Sequence, residues 1–150
     1  MPSATNLELI AAVLATADAF LREGPRLFRP LGLTVAQYNV LNVLAESAAP
    51  AGLSQRELGD ELVVDRSNVT GLLDRMTRAG WVRRDDDPGD RRIYRVRLTP
   101  EGRQLWEKTS PRYEAVVAQV TRGLTERQAR DALAVLSRLK SGAARWKLGN

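Results

Sequence analysis

A chain of 150 residues with 43% hydrophobic content suits one domain with a core of its own. Its formal charge of +5 and pI near 10.2 permit a nucleic-acid partner without requiring one. The lack of cysteine excludes a disulfide framework and a thiol redox switch, and the lack of histidine removes the usual metal ligand and the commonest general base.

Thr5 and Glu8 stand at the spacing of a capping box, and Leu7, Ala11, Leu14, Ala17 and Leu21 continue at helical intervals. A first helix is predicted to about Gly24, or on to Phe28, with "RPLG" at 29–32 breaking it. The longest uncharged apolar run here, Leu9–Ala17, is far short of the roughly 20 residues that a membrane span needs. No Lys or Arg precedes Arg22, so the positive leader of a signal peptide is absent and a cytoplasmic location is expected. Thr34 with Gln37 opens a second helix, whose stripe is Val35, Tyr38, Leu41, Val43 and Leu44. "SAAPAG" separates it from the next helical segment.

Ser54 and Glu57 form another capping-box pair, and Leu58, Leu62 and Val63 give the helix behind it one apolar face. Asp65 is a plausible N-cap for the next helix. There, Val69, Leu72, Leu73 and Met76 make an inward stripe and leave Arg66, Ser67, Asn68, Thr70, Asp74 and Arg75 outside. Gly80 stops that helix. Two β-prone runs, Trp81–Arg84 and Ile93–Leu98, flank the turn-forming "DDDPGDRR". Helix, turn, helix and a hairpin tipped by Arg91 and Arg92 describe a winged helix-turn-helix that binds DNA. The start of a recognition helix meets base edges, and "DRSNVTG" supplies Arg for guanine, Asn for adenine and Ser or Thr for either.

Beyond the wing, Thr99 caps a helix with Pro100 at its first position, and Leu105, Trp106, Tyr113, Val116, Val117 and Val120 continue its apolar face. Pro111 lies inside it, and a kink or break is expected there. Thr125 and Gln128 open a last helix with Ala129, Ala132, Leu133, Leu136, Leu139, Ala143 and Trp146 along one side. The end helices carry more apolar surface than the small winged core can cover, which points to a twofold dimer. Residues 54–103 hold 11 Arg against 10 Asp and Glu, so affinity must rest on where the arginines point and not on a broad positive field. Arg outnumbers Lys 20 to 3, an excess that a bias in codon usage explains as readily as phosphate contacts do.

The stretch "NVTGLLDRMTRAGWVRRDDDPGDRRIYRVRLTPEG" resembles the DNA-binding core of the MarR family of bacterial transcription regulators, from recognition helix through the Asp-x-Arg wing to the Thr-Pro helix entry. The resemblance implies a mainly α fold with a small β-hairpin wing. A winged helix-turn-helix lobe at 34–103 and a helical dimerisation region from 1–33 and 104–150 would make one domain. It further implies a homodimer on a palindromic operator, answering to a small ligand or oxidant; repression is the commonest mode in such families. The DNA-facing set is then Ser54, Gln55, Asp65, Arg66, Ser67, Asn68, Thr70, Gly71, Arg75, Asp90, Arg91 and Arg92, with Asp90 pairing to Arg92 to hold the wing tip. Many relatives carry Arg or another polar residue where this chain has Gly71, so a base contact is either missing or supplied by Arg66 or Asn68.

In similar proteins the helices bearing Tyr38, Trp106 and Tyr113 line an effector cleft, although core packing is the favoured reading for each aromatic. Asp85, Asp86, Asp87 and Asp90 read as a solvated turn, since nothing like a calcium loop surrounds them. No cofactor or metal is expected. An enzyme is disfavoured by the absence of His, Cys and a phosphate-binding glycine loop. A winged helix serving protein–protein contacts is the alternative, but "GDRR" at the tip suits DNA backbone or minor groove, whereas an interaction wing would more often be apolar.

Overall fold

The computed structural model describes residues 1–62 and 68–146. In chain order the elements are α1 (Ala4–Phe28), a 3-10 turn (Arg29–Leu31), α2 (Val35–Glu46), β1 (Leu53–Ser54), α3 (Gln55–Glu61), α4 (Val69–Arg78), β2 (Val82–Asp86), β3 (Tyr94–Leu98), α5 (Pro100–Val120) and α6 (Glu126–Arg145). The chain divides into two compact units, Met1–Tyr113 and Glu114–Asn150.

Side-chain caps explain most of the helix starts. Thr34, Ser54 and Thr125 each accept from the backbone N–H three residues on, while Gln37, Glu57 and Gln128 reach back to the cap's own N–H. These three starts agree with the spacing in the sequence. The first helix differs: its cap is Ser3, whose hydroxyl accepts from Asn6 N–H at 3.2 Å, and the expected cap Thr5 lies within the helix. An alternative Ser stood two residues upstream, and one extra half-turn of helix satisfies more backbone. The helix runs on to Phe28, through Pro25, and Gly32 ends the adjoining 3-10 turn with φ +74°.

α4 ends in a Schellman motif: Trp81 N–H donates to Met76 C=O and Gly80 N–H to Thr77 C=O, both at 3.0 Å, with Gly80 at φ +76°. The sheet has the order β1-β3-β2, all antiparallel, with Val82 opposite Leu98, Asp86 opposite Tyr94 and Leu53 opposite Val96. The strand β1 was not legible in the sequence. α5 is a single helix through Pro111, so of the expected kink or break the break does not occur.

The core of the first unit joins Phe28, Leu33, the α2 residues Tyr38, Val40, Leu41 and Leu44, and Leu58 and Leu62 behind α3. It also takes in the α4 stripe of Val69, Leu72, Leu73 and Met76, and Val82 and Val96 from the sheet. Thus the α4 stripe faces inward as its spacing predicts; Val63 and Asp65 lie outside the described residues. A different condition holds for α1 and α6. Leu7, Ile10, Leu14, Phe20 and Leu21 on α1 and Leu133, Val135 and Leu136 on α6 are exposed, and α6 buries no residue at all. By length and composition alone α1 is apolar enough to cross a membrane, which the short uncharged run in the sequence did not suggest.

Candidate nucleic-acid interface

Two elements present the sequence-predicted residues: the outer face of α4 and the turn of the β2–β3 hairpin. On α4, burying Val69, Leu72, Leu73 and Met76 turns Asn68, Thr70 and Arg75 to the exterior. Asn68 occupies the N-cap position of α4 yet makes no capping hydrogen bond with its side chain. The expected partners Asp65, Arg66 and Ser67 lie outside the described residues. At Gly71 the helix surface is low. A Cβ placed there would lie 3.5 Å from Nη1 of Arg75 and 3.9 Å from Oδ1 of Asn68. The open space over Gly71 is therefore bordered by the exposed side chains of Arg75 and Asn68.

The other predicted residues of the helix-turn-helix hold it together. Gln55 Nε2 donates to Thr70 Oγ1 at 2.6 Å, linking the start of α3 to the first turn of α4. The Ser54 hydroxyl accepts from Glu57 N–H at 3.2 Å. Asp74, expected to point outward, is half-buried and pairs at 2.7 Å with Arg84 of β2, so it fastens the wing to α4. The pair sets a cation against the one carboxylate on the outer side of α4.

The wing turn is built by carboxylates. Asp87 Oδ1 accepts from the backbone N–H of Gly89 at 2.8 Å and of Asp90 at 3.0 Å, while Asp87 N–H donates to Ile93 C=O at 2.9 Å. Asp90 then holds Arg92 in a fork: Nε and Nη2 donate to its two oxygens, each at 3.0 Å, and Arg92 N–H donates to Oδ1 at 3.0 Å. The Arg92 side chain remains 89% exposed, so the carboxylate orients the guanidinium without covering it. Arg91 is also exposed beside it. These bonds hold the Asp90 carboxyl below its ordinary range, chiefly through the Arg92 side chain, and raise Arg92 further above its own.

Sequence reasoning missed Arg95. Its Nη1 donates to Glu57 Oε2 at 2.8 Å and its Nε to Asp87 Oδ2, across 38 and 8 positions of sequence. The hydropathy pattern marks Arg95 only as a residue facing away from buried Val96. Tyr38 lies in the core and Trp106 packs against it, whereas Tyr113 is exposed. Tyr38 is buried, stacks on Phe28 with ring centroids 4.5 Å apart and meets Tyr113 at 5.1 Å. Trp106, half-buried, donates its indole N–H to Asn42 Oδ1 at 3.0 Å.

A model of the MarR family matches residues 31–93. The multiple antibiotic resistance protein MarR of Escherichia coli K12 is 32% identical over 131 residues, which cover 87% of this chain and 85% of that protein. Two further curated regulators, 36% and 38% identical, are longer: the matches cover 60% and 64% of their lengths. Among solved structures, Sco3205 of Streptomyces coelicolor, a MarR family regulator in complex with DNA, superposes with a TM-score of 0.81 at 27% identity, covering 100% of this chain and 95% of that one. CouR of Rhodococcus jostii RHA1, bound to p-coumaroyl-CoA, gives 0.76 at 26% identity, covering 99% and 100%. A winged helix-turn-helix with this wing chemistry, matched over most of the length of an established member, settles kinship: the chain belongs to the MarR family of transcription regulators.

Proposed function

We propose that the protein is a homodimeric, ligand-responsive transcription regulator, a repressor in its basic mode, that reads an inverted-repeat operator. α4 enters the major groove with Asn68, Thr70 and Arg75 against base edges and phosphates, beside the predicted Arg66 and Ser67. Arg92, with Arg91, enters the flanking minor groove, where a narrow A·T-rich segment concentrates negative potential. The observation that carries this reading is the fork from Asp90 to Arg92, which fixes a fully accessible guanidinium at the end of a hairpin. The DNA complex of Sco3205 supports it by analogy.

Dimerisation is supported by the bare apolar faces of α1 and α6, which one chain does not cover. We assign α1 to a second copy and not to lipid, and the protein to the cytoplasm. The effector in this reading is a non-covalent small molecule, since no Cys is present to sense oxidants. The p-coumaroyl-CoA complex of CouR supports that class of ligand, with Trp106 and Tyr113 the candidate contacts and Tyr38 packed behind them. Such a ligand would act by binding a DNA-incompetent arrangement better than the competent one.

A mobility shift on the gene's own upstream region, run across a salt series with Arg92→Ala in parallel, tests the proposal. Two chains should bind per inverted repeat. The variant should bind most sequences more weakly and flatten the salt dependence by roughly two units of log–log slope per dimer. An unchanged slope would show that the wing does not touch DNA. No shift on any duplex would favour a protein–protein role.

A further inference from the structure

We infer that Arg95 is a positioning residue for DNA binding, tying the wing turn to the start of α3 and so setting where Arg92 stands relative to the helix-turn-helix. The inference rests on the proposal that the wing contacts DNA. A continuous run of hydrogen bonds carries it. Ser54 N–H donates to Glu57 Oε2 at 2.7 Å in the capping box of α3. The same oxygen accepts from Arg95 Nη1 at 2.8 Å. Arg95 Nε donates to the second oxygen of the Asp87 carboxylate, whose first oxygen accepts from Gly89 and Asp90 N–H in the turn. Asp90 then grips Arg92.

Every link has a donor and an acceptor of fixed direction, and a guanidinium is the one side chain whose planar fork can serve two carboxylates at set angles. Arg95 is 25% exposed and Asp87 12%, so this part of the run is shielded compared with Arg92. Asp87 and Glu57 both titrate below their ordinary values, with the Arg95 side chain the leading cause at Asp87 and the Ser54 backbone N–H at Glu57. A surface ion pair contributes little to global stability. A two-stranded hairpin with a long tip can nevertheless swing about its base, and the cost of misplacing Arg92 falls on binding.

The test is a double-mutant cycle read by operator affinity and salt slope, with thermal unfolding alongside. Arg95→Gln should weaken operator binding by about three- to tenfold and flatten the slope as Arg92→Ala does, with little change in Tm. Combined with Arg92→Ala it should add less than about a further twofold, because both act through one guanidinium. Asp87→Asn is the sharper variant. Asn keeps an oxygen for the Gly89 and Asp90 N–H groups, so the turn survives, but offers Arg95 an NH2 group that cannot accept. Removing a negative charge should by general electrostatics strengthen DNA binding; the positioning role predicts weaker binding instead. Full additivity of Arg95→Gln with Arg92→Ala would mean that Arg95 contacts DNA directly or acts on stability, and would overturn the inference. So would tighter binding by Asp87→Asn. If Arg92→Ala itself changed neither affinity nor slope, the wing reading would fail and this inference with it.

Discussion

Gly102 marks the junction on which the wing, α4 and α5 converge, and it offers a test with a sign control inside the same chain. Thr99 Oγ1 donates to Gly80 C=O at 2.6 Å and accepts from Gly102 N–H at 3.0 Å, while Thr99 N–H donates to Trp81 C=O at 3.1 Å. A Cβ on Gly102 would fall inside contact distance of the Trp81 carbonyl oxygen, 2.9 Å from its carbon and 3.2 Å from the Trp81 Cα. These are backbone atoms, so no rotamer change relieves the clash. Gly102→Ala must push α5 away from β2, loosening the Thr99 bonds. Overpacking of about 1–3 kcal/mol and a strained or unmade buried hydrogen bond of about 1–3 kcal/mol outweigh the helix-propensity gain of about 1 kcal/mol. The net loss is about 1–5 kcal/mol, or roughly 2–20 °C in Tm for a protein of this size. Gly71→Ala is the control. Its Cβ would meet only side-chain ends, Arg75 at 3.5 Å and Asn68 at 3.9 Å, so the propensity term should prevail and raise stability by about 0.5–1 kcal/mol. Thermal unfolding of both variants at one protein concentration decides the matter. A Gly102→Ala protein as stable as the parent would refute this close approach of α5 to Trp81.

Asn68→Ala should cost about 1–3 kcal/mol on the preferred operator and relax the preference at one base per half-site, as read by competition among single-substituted duplexes, while leaving scrambled DNA unaffected. Acid should loosen the wing before neutral pH does. Glu57, Asp87 and Asp90 all have folded pKa values below their ordinary 4.5 or 3.8, so their stabilisation is complete above those values and is lost as pH falls through the depressed ones. These groups therefore leave stability flat between about pH 5 and 8 and give it a downward limb below about pH 4.5, which Asp87→Asn should make shallower in denaturation followed against pH. An equally steep limb in that variant would remove Asp87 from the account.

The local grammar of the chain was legible where a residue's partner lies within one turn. The capping pairs Thr34/Gln37, Ser54/Glu57 and Thr125/Gln128 sit three residues apart, and Gly80 is the only residue type that takes φ +76° cheaply after a helix. The buried stripe of α4 repeats at the helical period and needs no tertiary knowledge. What was not legible depends on distant partners. β1 is only Leu53–Ser54, too short for an alternation to register, and exists because Val96 and Arg95 of β3 lie opposite it. Asp74 reads as solvent-facing from its helical phase alone, yet Arg84 of the sheet comes to meet it. Pro111 breaks an isolated helix by rule, whereas α5 continues through it. The wing tip lay between these cases: Asp90 and Arg92 are near in sequence, but their pairing came from resemblance, and only the folded turn supplies its geometry.

The near balance of charge in the DNA-binding segment stems from how its arginines are employed. Arg83 and Arg97 meet Asp85, Arg84 meets Asp74, Arg95 meets Glu57 and Asp87, and Arg92 meets Asp90. Five cations of the wing thus have acidic neighbours, which accounts for five of the 11 Arg and five of the 10 Asp and Glu between 54 and 103. A lobe with the same arginines and no acids would hold any duplex through its phosphates, since counterion release is indifferent to sequence. Pairing five of the eleven reduces that indiscriminate attraction and converts charge into geometry: the fork at Arg95 fixes an angle, and the fork at Asp90 fixes a direction. Of these five, Arg92 alone combines a carboxylate partner with 89% exposure, so its charge remains available to DNA while its orientation is already set. Ordering that side chain in advance reduces the conformational entropy lost on binding, and a narrow groove in register with it gains most. In the proposed binding mode, selectivity at the wing then arises from placement, with bases read by α4 and groove shape read by one prepositioned guanidinium.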